Sequence, residues 1–534
     1  MLRKLVRDLF RPRGGPGMRG AVDGGTTGNH GLENARDEPR TPVTCAGLLQ
    51  CAESLAAAGR LAPALACYRA CAQAYPQSLD AHLGAASVLV DLWSIDEAIE
   101  AYGNALRLAP AAGAVFSALL FHTHYRSPAD AGRMFDLHRQ FGAMARSAAQ
   151  HGHAGYALAP DPERRLRIGY LSPNFSRHSV GFFVEPVLRC HDRGQYEVFC
   201  YYAHRLADET TQRMRGLADG WRDVADVGDA ALDSMIREDR LDILVDLAGH
   251  SKGNRLGVIA RRPAPVQITW LGYPDTTGLD AVDYRITDQT ADPAPRAEQR
   301  HSEKLLRMDD CFVCYQPPHD SPPVAARESA GAVVFSSFNN LAKLNAQTIR
   351  LWGTILAAVP GSRLALKAAA LGFPDTVDRL MDGFERNGVD PSRVELRGWI
   401  RNQREHLELY DGIDIALDTY PYNGTTTICE ALWMGVPVIT LAGEAHMSRV
   451  GKSILRCVGL HELVADSSAD FAQIASALAH DTGRRTALRA GMRDRLRASP
   501  LLDHAKFTLQ LEHHYRRIWT AWCAGGPAAN TGSR

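Results

Sequence analysis

Towards its C-terminal end the chain reads LDTYPYNGTTTICEALWMGVPVITLAGE (417–444), with three successive threonines directly after an Asn-Gly turn. A strand-like run ends at Asp418, and Ile428, Leu432 and Trp433 then recur at helical spacing until Gly435 and Pro437 stop the pattern. Thr425, Thr426 and Thr427 therefore fall at a helix N-terminus, where unpaired amides and the positive end of the dipole favour an anion. Their hydroxyls add donors for phosphate oxygens. Capping alone needs one threonine, so the row of three favours phosphate.

Three further stretches carry candidate chemistry. In VVFSSFNNLAKLN (333–345) a predicted strand ends at Phe338, and Asn339, Asn340 and Lys343 follow before a helix. Lys343 either reaches a diphosphate from the facing wall as a point charge or is a solvated surface lysine, and the spacing does not choose between them. In LSPNFSRHSVGFF (171–183), His178 follows a strand and precedes a helical run. It is placed to act as acid, base or hydrogen-bond donor, or it is an ordinary loop histidine. His250 in DLAGHSKGN has the same two readings. Cys311 and Cys314 have CxxC spacing but no second pair and no His-x-x-x-His beside them, so they read as two half-buried thiols near a strand end, not as a zinc site. No G-x-G-x-x-G follows the first strand, and neither a phosphate-binding Walker loop nor an Asp-x-Asp pair occurs at a strand end. A nicotinamide dehydrogenase, a P-loop NTPase and a metal-dependent donor site are thereby disfavoured.

Elements must hold these residues together. From about residue 161 apolar runs (LRIGYLS, YEVFCYYA, LDILVDLAG, VQITWLG, VDYRIT) alternate with turns and helix-like stretches. A Pro-rich segment, 316–332, interrupts them, and a second set follows (VVFSSF, SRLALKA, RVELRGW, DIALDTY, PVITLAG). The pattern predicts two α/β halves with mainly parallel sheets and a cleft between them, with ligands beyond the carboxyl ends of the strands. Ahead of them lies a repeat. Ala64, Tyr68, Cys71 and Pro76 recur as Ala98, Tyr102, Ala105 and Pro110, each 34 residues on, which is the tetratricopeptide period. Small residues let two helices approach, the tyrosines fill the gap to the next helix, and the prolines stop the second helix. We divide the chain into a basic tail (1–40), repeats (41–112), capping or linker helices (113–160), a first lobe (161–325) and a second lobe (326–525).

Composition agrees with a globular enzyme. The 534 residues are 45% hydrophobic and 22% charged, and Lys+Arg and Asp+Glu are both 60. That balance argues against a dedicated nucleic-acid binder. No apolar run is long enough for a transmembrane helix, and the start, MLRKLVRDLFRPRGG, breaks its apolar stretch with charges, unlike a signal peptide. The 11 cysteines, an odd number, fit reduced thiols. A cytoplasmic protein without membrane or nucleic-acid partners is expected.

The segments APVQITWLGYPDTTGLDAVDYRITD, FSSFNNLAKLN, LDTYPYNGTTTICEALWMGVPVITLAGE and SRVGKSIL, with the repeats before them, closely resemble the O-GlcNAc transferase/SPINDLY family of protein glycosyltransferases. The resemblance covers about residues 45–500. It implies a GT-B fold of two Rossmann-like lobes, preceded by tetratricopeptide repeats, and inverting, metal-independent transfer of a sugar from a nucleotide diphosphate to Ser or Thr of a protein. No cofactor besides the nucleotide-sugar donor is implied, and acceptor proteins would engage the repeats and the cleft. The resemblance puts Lys343 on the donor diphosphate, Thr426 and Thr427 on phosphate, His406 near the base, Glu430 at the ribose and His178 near the reacting centre of the first lobe. Asn340 and Thr425 complete the expected donor site, and His178 and Lys343 are the catalytic candidates. Thr425 and Ala342 stand where the O-GlcNAc enzymes have His and Tyr; PYNGTTT and NNLAK are closer to SPINDLY, whose branch transfers fucose from GDP-fucose. The family as a whole implies UDP-GlcNAc as the donor, and these motifs make GDP-fucose the alternative. A catalytically silent repeat scaffold and a transferase acting on glycans or lipids are the competing functions.

Overall fold

A computed structural model describes residues 44–126, 131–149, 156, 158–327 and 331–525. The tail at 1–40 lies outside the described residues. Six helices come first: Cys45–Ala57, Leu61–Ala74, Leu79–Asp91, Ile95–Leu108, Gly113–Thr123 and Ala131–Ala148. The first four form two antiparallel hairpins, whose second helices end at Ala74 and Leu108, two residues before Pro76 and Pro110. The repeat tyrosines pack as the spacing requires. Tyr68 lies so close to Gly84 that a β-carbon there would stand 2.2 Å from its ring, and Tyr102 stacks on His122 at 5.1 Å.

The first lobe is a seven-stranded sheet: β1 (Leu166–Ser172), β2 (Tyr196–Tyr202), β3 (Gly220–Asp223), β4 (Ile243–Asp246), β5 (Val266–Thr269), β6 (Tyr284–Asp288) and β7 (Lys304–Met308). Its order is β3-β2-β1-β4-β5-β6-β7. The second lobe has six strands: β8 (Val334–Ser337), β9 (Arg363–Lys367), β10 (Val394–Arg397), β11 (Ile415–Leu417), β12 (Val438–Leu441) and β13 (Val464–Ala465), ordered β10-β9-β8-β11-β12-β13. All pairings in both are parallel. Both faces of such sheets must be covered, which is why the strands read as unbroken apolar runs. Each sheet reverses its winding beside its first strand, between β1 and β4 and between β8 and β11. Those are the switch points at which an open α/β sheet leaves a crevice. Two doubly wound lobes behind helical hairpins are the expected GT-B arrangement.

The last helix, His504–Cys523, packs not on the second lobe but back on the first. Phe507, Leu511, Tyr515, Ile518 and Trp519 share a core with β1, β2, β4 and β5. The Tyr515 hydroxyl lies 3.1 Å from that of Tyr170, and Trp270 stacks on Phe507 at 5.8 Å. The stripe's periodicity announces a buried face but not which sheet it covers. Cys311 and Cys314 are fully buried, not half-buried, with Sγ atoms against Ser453 Oγ and the Phe183 carbonyl, because their loop runs between the lobes.

The helical region touches both lobes. Thr376 Oγ1 donates to the Asp91 carbonyl (2.8 Å), the Ala62 amide to Asp375 (2.9 Å), and the Trp93 indole to the Leu344 carbonyl, all joining repeats to the second lobe. Phe116, Leu120, Met134 and Phe141 join the core under the first sheet. Among the described residues no helix is long and apolar enough to cross a membrane.

Candidate functional site

The two switch points hold the candidate residues. In the second lobe, β8 leads through Asn339 and Asn340 into a single 3₁₀ turn, Leu341–Lys343, whose first amide is capped by Asn340 Oδ1 (Ala342 N, 3.0 Å). Asn340 is itself exposed, so its visible part is to shape the turn. The turn aims Lys343 across at the segment after β11. Its ammonium donates to the Asn423 carbonyl (2.8 Å), touches Asn339 Oδ1 (3.5 Å) and lies 4.3 Å from the Tyr422 ring centroid. Desolvation lowers its pKa to about 8, although Asp418 nearby favours the charge.

Asp418 organises the facing turn. One carboxylate oxygen accepts the amides of Thr419 (2.9 Å) and Gly424 (2.7 Å), and the other the Thr440 hydroxyl (2.7 Å). Burial is the larger effect and raises its pKa to about 6 against those bonds. Gly424 has no space for a side chain: a β-carbon would stand 2.4 Å from Thr427 Oγ1. The helix Thr426–Trp433 then opens with Thr425 at its cap, whose side chain makes no capping bond. Thr427 Oγ1 donates to Asn339 Oδ1 (3.0 Å), and Thr426 Oγ1 is buried without a partner among the described residues. A donor hydroxyl, free helix amides and a desolvated ammonium thus converge where a phosphate would complete them.

Further along the same edge, Glu430 and His406 are both buried. His406 Nε2 donates to Glu430 Oε2 and Gln403 Nε2 to Oε1, each at 3.1 Å. His406 Nδ1 has no partner among the described residues. Lys367, at the end of β9, lies 4.6 Å from the Trp399 ring centroid, and desolvation lowers its pKa. Sequence reasoning named Asn339 without giving it a role and passed over Asn423, Gln403, Lys367 and Tyr422. All lie within a few residues of a strand's carboxyl end, which was the available signal.

In the first lobe, His178 follows β1 and caps the helix Ser179–Cys190. Its Nδ1 accepts the Val180 amide (3.2 Å). The ring therefore presents Nε2–H, a donor, to the open side. His178 is exposed, and its partly desolvated surroundings lower its pKa. His250, after β4, is buried and fully engaged. Ser117 Oγ is 2.9 Å from Nδ1, and Nε2 donates to the Thr277 carbonyl at 2.9 Å. The carboxyl edges of the two sheets meet. His446 donates to Asp292 (2.7 Å), Arg449 to the Thr290 carbonyl (2.7 Å) and Ser453 to Asp288. Burial alone would raise Asp292, but His446 outweighs it and holds the carboxyl far below its usual range.

Among the described residues one set of three side chains has metal-ligand proximity: His124, His138 and Asp275. Both histidines point Nε2 at the Tyr273 hydroxyl, 2.8 Å from each. That is a hydrogen-bond network between helices and first lobe, in which His124 Nδ1 is buried without a partner among the described residues.

The profile of glycosyl transferase family 41 matches residues 147–319 and 324–511. The chain is 42% identical over 412 residues to a probable UDP-N-acetylglucosamine–peptide N-acetylglucosaminyltransferase SPINDLY of Petunia hybrida, covering 76% of this chain and 44% of that one. It is 43% identical over 400 residues to the SPINDLY protein of Arabidopsis thaliana, covering 74% and 43%. The chain thus spans less than half the length of these plant relatives. A solved structure of a variant of an O-GlcNAc transferase from Thermobaculum terrenum superposes with a TM-score of 0.85 at 38% identity, covering 91% of this chain and 92% of that one. A profile match over both lobes and this likeness in sequence and fold establish that the chain belongs to glycosyl transferase family 41.

Proposed function

We propose that the protein is an inverting protein O-glycosyltransferase that moves N-acetylglucosamine from UDP-GlcNAc to Ser or Thr hydroxyls. The observation that carries this reading is the desolvated Lys343 ammonium, which meets the Thr427 hydroxyl on Asn339 Oδ1 at the switch point between β8 and β11, beside the helix N-terminus where Thr426 Oγ1 is buried without a partner among the described residues. The acceptor oxygen attacks the anomeric carbon, the bond from that carbon to the β-phosphate oxygen breaks, and the nucleotide diphosphate leaves with the electron pair. The hydroxyl proton passes to a base or to water. Lys343 and the helix amides take up the charge that builds on the phosphates, in place of a metal ion. His178 offers Nε2–H, which suits holding a substrate oxygen better than removing its proton. The plant relatives' names carry the same donor and a peptide acceptor, and the Thermobaculum terrenum enzyme's name the same sugar.

The acceptor's way in is a crevice of about 350 Å³ between repeats and second lobe, lined by Trp93, Asp96, Tyr125, Arg126, Ala342 and Asn345. It opens beside the Lys343 turn. GDP-fucose is the second reading, favoured by Thr425 and Ala342 in place of the His and Tyr of the O-GlcNAc pattern. A thermal-shift panel of UDP, GDP and their sugars with EDTA present, followed by transfer of radiolabel to lysate proteins, tests both. Stabilisation by UDP or GDP and label in the protein fraction are expected. Strict dependence on a divalent cation, or label only in lipid or free glycan, contradicts the proposal.

A further inference from the structure

We propose that Tyr422 is a positioning residue for Lys343, and that Tyr125, between the fifth and sixth helices of the helical region, holds Tyr422 in place. The inference rests on Lys343 serving the leaving diphosphate. An ammonium has three donors. Lys343 places one on the Asn423 carbonyl at 2.8 Å, while its contact to Asn339 Oδ1 is at the limit of a bond, 3.5 Å. The remaining side is turned to the face of Tyr422, whose centroid is 4.3 Å away. A cation held against an aromatic face is attracted by the ring quadrupole, the more so when water is excluded.

Tyr422 is held in its turn by its ring. Its hydroxyl makes no hydrogen bond among the described residues. Tyr125 packs on the ring with centroids 5.3 Å apart and planes at 32°, and His124 meets it edge-on at 6.4 Å. Tyr125 is buried, sits two residues beyond the helix Gly113–Thr123 and is braced by Phe121 at 5.7 Å. It also lines the crevice beside Ala342. One aromatic pair therefore runs from the wall of that crevice to the ammonium of Lys343. The helical region contributes to the donor site directly, besides any part in collecting acceptors. A ligand in the crevice touches the far end of the same pair.

Because the ring does the holding, Tyr422→Phe keeps the contact and Tyr422→Leu removes it. The experiment measures kcat and donor KM at a fixed amount of lysate protein, using the sugar nucleotide that the panel selects, with a melting curve for each variant. Tyr422→Leu is expected to lose roughly tenfold or more in kcat with donor KM changed less than about threefold, because a misplaced countercharge matters most as the phosphates gain charge. Tyr422→Phe is expected to recover most of that loss, and Tyr125→Leu to show the same split more weakly. If Tyr422→Leu does not fold, Tyr422→Met gives the same comparison. Normal kcat in folded Tyr422→Leu beside an inactive Lys343→Ala overturns the positioning role and leaves the lysine's role standing. Equal loss in the Phe and Leu variants also overturns it. An active Lys343→Ala removes the role of the lysine and this inference with it.

Discussion

Lys343 shows how far single residues can be read. From sequence it was either a phosphate ligand or a surface lysine, and only its placement separates the two. In the structure it is desolvated, bonded to the Asn423 carbonyl and joined through Asn339 Oδ1 to Thr427 in the first turn of a helix. Its lowered pKa has a consequence for rate. In the free protein the side chain is protonated below about pH 8 and neutral above, well under the usual 10.5. A bound diphosphate favours the charged form and raises the pKa again. kcat/KM for donor is therefore expected to hold up to about pH 8 and then fall about tenfold per pH unit, while the decline in kcat begins at higher pH. Lys343→Arg should move the first limb out of range. A pH–rate profile checks this, and a flat kcat/KM to pH 10 contradicts it. Thr425 to Thr427 were legible because strand, turn and helix signals adjoin them. Tyr422 was not, since no local pattern says that an aromatic in a turn faces a lysine some eighty residues earlier.

At the scale of elements, the strands that fill the sheet centres were legible because burial on both faces leaves an apolar run. Of the edge strands only β10, in RVELRGW, was legible: β3 reads GWRD, β7 carries Lys304 and Arg307, and β13 is two residues long. The repeat hairpins were legible from their 34-residue period. The destination of the last helix was not, because an apolar stripe fits either sheet. That helix now supports a prediction. Trp519 is fully buried in the first lobe, stacks on Trp522 at 4.8 Å and donates to the Asp161 carbonyl. Trp519→Ala should destabilise the first lobe by about 3–5 kcal/mol. Urea denaturation followed by circular dichroism measures it. A loss below about 1 kcal/mol would mean that the helix is a loosely attached cover.

At the scale of the molecule, the helical region binds the second lobe through Asp91 and Trp93 and the first through a buried histidine junction. His124, His138 and His250 lie around Tyr273 there, and burial lowers all three, His124 to about 4. The unfolded chain takes up these protons near pH 6.5 and the native state does not, so stability is complete above about 6.5 and is lost as pH falls towards 4. For His124 alone the loss is about 3 kcal/mol. His124→Gln, which cannot titrate, should flatten that part of the profile. Unfolding free energies at pH 7.5 and pH 5 for both proteins check the slope, and equal slopes contradict the assignment. Of the three, the sequence singles out only His250, as a loop histidine after a strand; their junction is not legible, because they come from two helices and a strand end far apart in the chain.

The account stands most directly on transfer by Lys343→Ala in a single turnover, measured beside donor affinity and a melting curve. Folded variant protein that binds the sugar nucleotide within a few-fold of the wild type but transfers at least about 10²-fold more slowly is the predicted result. Near-normal transfer by the folded variant would contradict the mechanism and return the chain to the reading of a silent repeat scaffold.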